Sequence, residues 1–271
     1  MLRITEIKLR PDEAQSKEAE LANLKNRISR KYRIPESDML AFSIARKAID
    51  ARKKEDIFLV YSADMKLKNE NGLLLKKLPN VRKYEKPGII YPGKAVIKSG
   101  FRPVVVGFGP AGIFAALTLA KQGLNPLVLE RGPDIDKRTE EISSFHKTGV
   151  FSEKGTVLFG EGGAGTFSDG KLTTLINDPL CAVVLDTFAQ HGADPEIRYL
   201  AKPHIGTDEL KKIIKSIRKE IVSLGGEIRF NAKVTDFVID NDNLTELVVN
   251  GIDHIPADFC LLAIGHSARD T

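Results

Sequence analysis

The 271 residues are 42 % hydrophobic and 28 % charged, enough to bury the cores of about two domains. No apolar run approaches the ~20 residues of a membrane-spanning helix, and the N-terminal MLRITEIKLRPDE is alternating and charged, unlike a signal peptide. The net charge of +5 is uneven: residues 1–100 carry 23 Lys+Arg against 13 Asp+Glu, and residues 101–271 carry 18 against 23. In chain order, Leu2 to Leu9 alternates like a strand. Pro11 to Tyr32 reads as a helix with Leu21, Leu24, Ile28 and Tyr32 on one face and Asp12 as its cap. Met39–Ala48 and Asp56–Met65 read as strands joined by the charged turn Arg52–Glu55, and Asn71–Leu78 as a short helix. This β-α-β-β-α order predicts a small basic α+β domain over 1–82, compatible with a ferredoxin-like fold. Residues 83–101, with Pro87, Gly88, Pro92, Gly93 and Gly100, read as a linker.

Residues 102–271 carry the strongest signal. Arg102 to Glu130 reads RPVVVGFGPAGIFAALTLAKQGLNPLVLE, a strand, a glycine turn, a helix, a second strand and an acid. Val104, Val105 and Val106 suit a strand buried on both faces. Gly107, Gly109 and Gly112 fit G-x-G-x-x-G, which gives a tight turn, backbone approach to a pyrophosphate and close helix–strand packing, in that order. Pro110 suits the first helical turn, the helix N-terminus attracts phosphate, and Gly123 can end the helix. Glu130 follows the last motif glycine by 18 residues, where a carboxylate can accept from ribose hydroxyls. The acid disfavours a 2′-phosphate, so this spacing points to NAD or FAD and away from NADP.

A second glycine cluster, FGEGGAGTFSDGKL at Phe159 to Leu172, places Gly160, Gly162, Gly163, Gly165 and Gly170 beside Thr166, Phe167, Ser168 and Asp169. Such a loop can bring several main-chain amides to an anionic or flat ligand. A plain NAD dehydrogenase does not need it there; a flavoprotein with an extended cofactor does. Pro179–His191 reads as a helix. A further helix follows Thr207, a suitable N-cap, with Leu210, Ile213, Ile214, Ile217, Ile221 and Leu224 on one core face until Gly225 and Gly226 stop it. Glu227–Asn231 is a strand. Lys233–Ile239, Thr245–Val249 and Ile252–Ile255 form an antiparallel meander with turns at Asn241–Asn243 and Asn250-Gly251. Phe259–Ile264 then returns to the parallel sheet.

The segments ERG at Glu130–Gly132, FGEGGAGTFSDGKL and AKPHIGTDEL at Ala201–Leu210 resemble a bacterial family of FAD-dependent dehydrogenases, or NAD(P)/FAD-dependent oxidoreductases, in the glutathione-reductase-like flavoprotein class. The resemblance extends over essentially the whole chain. It implies a Rossmann-like FAD-binding domain with an inserted meander, with Gly107, Gly109 and Gly112 at the pyrophosphate and Glu130 at the adenosine ribose. It places Arg131 near the adenine side, Gly163 and Thr166 in the second glycine loop of the site, Val234 at adenine through its backbone, and Gly265 at the second glycine signature. That signature reads Ala263-Ile264-Gly265 here, where the class has Ala-Thr-Gly. Members of the class run well beyond Gly265, so the FAD domain is expected to lack its closing C-terminal segment and to retain flavin weakly. NAD(P)H is the electron donor the class suggests, although no second nucleotide fingerprint is visible.

The chemistry itself is less legible. No catalytic residue can be named. His204, Lys171, Asp169 and His266 are placed to meet flavin or substrate, and each also fits a structural role. No metal-ligand spacing occurs. Cys181 and Cys260 are isolated, with Cys260 in a core strand, so no redox dithiol is expected and a cytoplasmic setting fits. The substrate and oligomeric state are not encoded in any motif. Two alternatives stand beside the oxidoreductase. One is a flavin-associated nucleic-acid-binding protein using the basic residues 1–100. The other is a non-catalytic NAD-binding module.

Overall fold

The structure, a computed structural model, describes residues 1–74, 76–85, 102–150, 157–167, 171–172, 174, 176 and 178–269. The chain is mixed α/β, with one parallel and two antiparallel sheets. It divides into two compact units. The first comprises Met1–Ile89 with Leu172–Ala189 and Asp194–His204; the second comprises Ile90–Lys171 with Gln190–Ala193 and Ile205–Thr271. The sequence suggested contiguous domains, with all of 102–271 in the second. Two stretches between the glycine loop and the next long helix instead cluster with the N-terminal unit. The greater part of the expected 83–101 linker lies outside the described residues.

In the first unit, β1 (Leu2–Leu9), β2 (Met39–Asp50), β3 (Phe58–Leu67) and β4 (Val81–Lys83) form an antiparallel sheet in the order β2-β3-β1-β4. Helix α1 (Lys17–Tyr32) lies between β1 and β2, and the short α2 (Glu70–Leu74) between β3 and β4. Strand β4 escaped the sequence reading because three residues, two of them basic, carry no periodicity. The α1 cap also differs: Pro11–Ala14 is a separate 3-10 turn, and Ser16, not Asp12, accepts from the Ala19 amide. Alternate strand residues Leu2, Ile4, Tyr61, Ala63 and Met65 bury against Leu24 and Ile28 of α1. Each fully buried aliphatic side chain contributes about 1.5–3 kcal/mol.

One polar group interrupts this core. Glu20, 2 % exposed, accepts from the Tyr61 hydroxyl at 2.5 Å and pairs with Lys47 at 2.5 Å. Lys47 lies on β2, the sheet edge, and its main chain bonds the crossover segment: its amide donates to Tyr199 O and its carbonyl accepts from Ala201 N, both at 2.8 Å. That pairing is why the segment belongs to the first unit. Helix α5 (Leu180–Gln190) is tied to it through Asp186 and Arg198 at 2.6 Å.

In the second unit, β5 (Val104–Val106), β6 (Leu127–Leu129), β7 (Glu227–Arg229) and β11 (Cys260–Leu262) form the parallel sheet in the order β11-β5-β6-β7. Val104, Val106, Leu127 and Leu129 pack against the antiparallel sheet of β8 (Val234–Asp240), β9 (Asn243–Val249) and β10 (Asp253–Pro256). Alternation turns Val105 and Val128 to the opposite face, toward helices α3 (Pro110–Lys121) and α6 (Thr207–Ser223). The turns of the meander, Asn241-Asp242 and Asn250-Gly251, have positive φ throughout, the geometry tight hairpins need. Helix α4 (Ile135–Thr148) was not read from the sequence, although its cap signals are present: Asp134 accepts from the Asp136 and Lys137 amides, and Gly149 closes it in the left-handed region. Helix α6 is capped by Gly206, so Thr207 is its first helical residue. Among the described residues no helix is long and apolar enough to cross a membrane.

Burial, and then the bond to Glu20, push the Tyr61 hydroxyl above its ordinary range. Above about pH 10 the unfolded chain therefore gives up this proton before the folded chain does, and stability falls as pH rises. Tyr61→Phe is expected to reduce that alkaline loss while lowering stability at neutral pH by about 1 kcal/mol. Urea unfolding of both proteins at neutral and alkaline pH measures it.

Candidate dinucleotide site

The sheet order reverses beside β5. From β5 the chain passes through α3 to β6 and then to β7 on one side, whereas β11 returns on the other. Ligands of open α/β sheets bind where the order reverses, beyond the carboxyl ends of the strands. The Gly107–Gly112 turn stands at that point, at the end of β5 and beside β11.

Two of the three motif glycines, Gly107 and Gly112, sit where side chains cannot. A Cβ on Gly112 would lie 1.9 Å from Gly107 O. A Cβ on Gly107, whose φ is +100°, would lie 2.5 Å from Ala263 O. Gly109 is the N-cap of α3 and Pro110 its first residue, and no side chain caps the helix. The amides of Ala111 and Gly112 have no intrahelical acceptor by helix geometry, and they form the positive end of the helix dipole. This is the surface that suits a diphosphate. After β11, the Ala263 amide donates to Val106 O at 2.8 Å, and Gly265 follows at φ +57°, opening a 3-10 turn to Arg269.

Glu130 follows β6 directly and is 4 % exposed. Its Oε2 accepts from the Phe108 amide at 2.6 Å, and its Oε1 from the amides of Gly132 at 2.8 Å and Gly160 at 3.0 Å. The carboxylate thus has a structural task that the sequence spacing did not reveal. It binds the first glycine turn, its own following turn and the second glycine loop together. Among the described residues Oε2 has one partner, the Phe108 amide, and so keeps acceptor capacity. Arg131 is exposed, its guanidinium 3.9 Å from the Phe159 ring centroid. Asn231 and Ala232 donate to the carbonyls of Gly132 and Glu130 at 3.0 and 2.8 Å, which brings β8, beginning at half-buried Val234, two residues from this cluster.

The second glycine loop differs from expectation. Its amides are engaged within the protein: Gly160 to Glu130, Glu161 to Pro133 O, Gly162 to Phe108 O and Gly163 to Gly160 O. It therefore presents no free amide cradle at 160–163. Its role is steric. Gly163, at φ +65°, lies so close to the turn that a Cβ would meet Gly109 Cα and Pro110 Cδ at 3.2 Å. Thr166 is fully buried behind it, against Gly162. Ser168, Asp169 and Gly170 lie outside the described residues.

Two residues that the sequence did not single out support this loop. Arg138 of α4 is fully buried and donates to the carbonyls of Glu161, Gly163 and Val157. Glu161, also fully buried, accepts from Ile135 N at 2.9 Å and pairs with Arg218 of α6 at 3.2 Å. Burial holds the Arg138 guanidinium down to about 10 against the pull of Glu130 and Glu161. Burial likewise raises the Glu161 carboxyl, opposed by the Ile135 amide and Arg218.

His204 is exposed, and His266 is exposed in the 3-10 turn. Among the described residues no cluster of His, Cys, Asp or Glu could hold a metal ion. Cys181 and Cys260 form no disulfide. In the first unit, Arg3, Lys8, Arg10, Arg27, Lys47 and Arg52 each have an acidic partner within 4 Å, so much of the formal positive charge is locally neutralised.

Residues 1–66 match a domain of unknown function, DUF8436. An uncharacterized protein of Clostridium beijerinckii is 45 % identical over 276 residues, a span that takes in all of this chain and 50 % of that protein. The chain thus spans about half the length of this curated relative. Similar solved structures include THI4 of Thermovibrio ammonificans, at 19 % identity and TM-score 0.39 over 62 % of this chain and 58 % of that one. FAD-bound OTEMO gives 20 % and 0.38 over 61 % and 25 %. Thioredoxin reductase of Lactococcus lactis gives 18 % and 0.33 over 60 % and 34 %.

Gly112→Ala is expected to destabilise the protein by about 3 kcal/mol or more, since its methyl overlaps a main-chain oxygen of the turn. Urea unfolding measures it. Glu161→Gln tests the buried acid. A carboxyl raised in the folded state takes its proton before the unfolded chain does, so acidification through that range favours folding. Wild type should therefore gain stability relative to Glu161→Gln as the pH is lowered from neutral toward the ordinary carboxylate range.

Proposed function

We propose that the second unit binds the adenosine diphosphate part of FAD, and that the chain is part of an FAD-dependent oxidoreductase. In this reading the second unit is a Rossmann-like domain with an inserted meander, and the first is ferredoxin-like. The observation that carries the proposal is the Gly107–Gly112 turn: glycine at its first, third and sixth positions, uncapped by any side chain at α3, and set at the strand-order reversal. Gly107, Gly109 and Gly112 would hold the diphosphate, and the remaining acceptor capacity of Glu130 would take a ribose hydroxyl. Arg131 and the Val234 backbone would flank adenine, and Gly265 would lie along the far half of the cofactor. Gly163 would wall the diphosphate, with Thr166 packed behind it. Bound FAD supplies the electron-transfer chemistry through its isoalloxazine ring; the protein orients it and tunes its surroundings.

Glu130 also sets the choice of nucleotide, because a buried carboxylate at the ribose repels a 2′-phosphate. Isothermal titration with ADP, NAD and NADP tests the site. ADP and NAD should bind, with NADP weaker by about tenfold or more, the size of one unfavourable charge contact. Absence of ADP binding would defeat the reading. Mass spectrometry of the ligand released on denaturation distinguishes FAD from NAD as the resident dinucleotide.

A further inference from the structure

We propose that Arg138 is a positioning residue for the diphosphate: it sets the second glycine loop as the outer wall of the phosphate turn. This inference rests on the dinucleotide reading above and goes beyond it, because Arg138 lies outside every motif that suggested a nucleotide.

The argument begins with hydrogen-bond capacity. A loop whose amides at 160–163 are all engaged still has carbonyls to satisfy, and buried carbonyls need donors. Arg138 supplies them. One terminal nitrogen, Nη1, donates to Glu161 O and to Gly163 O at 3.1 Å, while Nη2 donates to Val157 O at 3.1 Å. A planar guanidinium holds several acceptors in one fixed arrangement, which a lysine ammonium cannot copy. The Phe167 ring covers the same group at 4.6 Å. Gly160 completes the fit, for a Cβ there would lie 2.4 Å from Arg138 Cδ.

The position fixed in this way matters at Gly163. Its carbonyl is one of the three held by Arg138, and its Cα faces Gly109, the N-cap of α3, at 3.9 Å from where a Gly109 Cβ would stand. The guanidinium also offsets the charge of two buried carboxylates, Glu130 and Glu161. Without it, a diphosphate would approach a turn backed by uncompensated negative charge. Both effects bear first on the phosphates, while Glu130 keeps its Phe108 and Gly132 amides and the Val234 backbone lies outside the loop.

The test is titration of the full chain with ADP and with adenosine, for wild type, Arg138→Lys and Arg138→Met, alongside thermal unfolding. The folded variants are expected to bind ADP about tenfold more weakly or worse, equivalent to one charge-assisted hydrogen bond, and adenosine nearly as well as wild type does. ADP affinity within twofold of wild type, or an equal loss for adenosine, would overturn the inference. If wild type itself fails to bind ADP, the dinucleotide reading fails first, and the two failures are distinguished. Should neither variant fold, hydrogen exchange on wild type decides. ADP should slow exchange across 157–167, and unchanged exchange there would refute the proposed wall.

Discussion

The Glu130 carboxylate is the point on which the second unit is assembled. It receives main-chain amides from Phe108, Gly132 and Gly160, three segments separated by up to 52 positions in the chain. A buried carboxylate is tolerated only when its charge is met by donors of good geometry, and here the donors are peptide groups already held by the ends of β5 and β6. Its removal would leave three buried amides without acceptors, a far larger disturbance than the loss of one surface acid. The residue proposed to recognise a ribose is thus also the one that shapes the glycine turn.

Around that anion the two glycine clusters act as one device. The first permits main chain to pass main chain at Gly107, Gly112 and Ala263. The second has its amides turned inward and presses Gly163 against the turn. Two guanidinium groups hold it there: buried Arg138 through the loop carbonyls, and partly buried Arg218 through the Glu161 carboxylate. The chemistry of the site is therefore set by peptide groups, and charged side chains determine where those groups lie.

The first unit shows the same economy of polar groups. Glu20 is buried between Tyr61 and Lys47, and Lys47 joins β2 to the crossover segment through its own peptide group. A segment that the chain order assigns to the second unit is consequently held by the first. The N-terminal unit thereby supplies a sheet edge for a stretch of chain that leads into α6.

Much of this was legible in the sequence. The apolar periodicities gave β1, β3, α6, the meander and the C-terminal limit of α1 close to those observed, and the glycine spacing located the turn, because local propensity and burial agree there. Of the parallel strands, three residues each, β5 and β6 were found through the motif that brackets them, whereas β7 and β11 were read as short strands without sharp limits. Helix α4 was readable from Asp134 and Gly149 but was passed over, being polar on most of its surface. What no local pattern could show is which donors meet which acceptors across the fold. The three amides on Glu130, the inward-facing glycine loop, the burial of Arg138 and the capture of Leu200 by Lys47 all join residues far apart in sequence. A charged side chain looks the same in a string of letters whether it points to water or completes a buried network; only the folded chain, by removing water from one and not the other, decides between them.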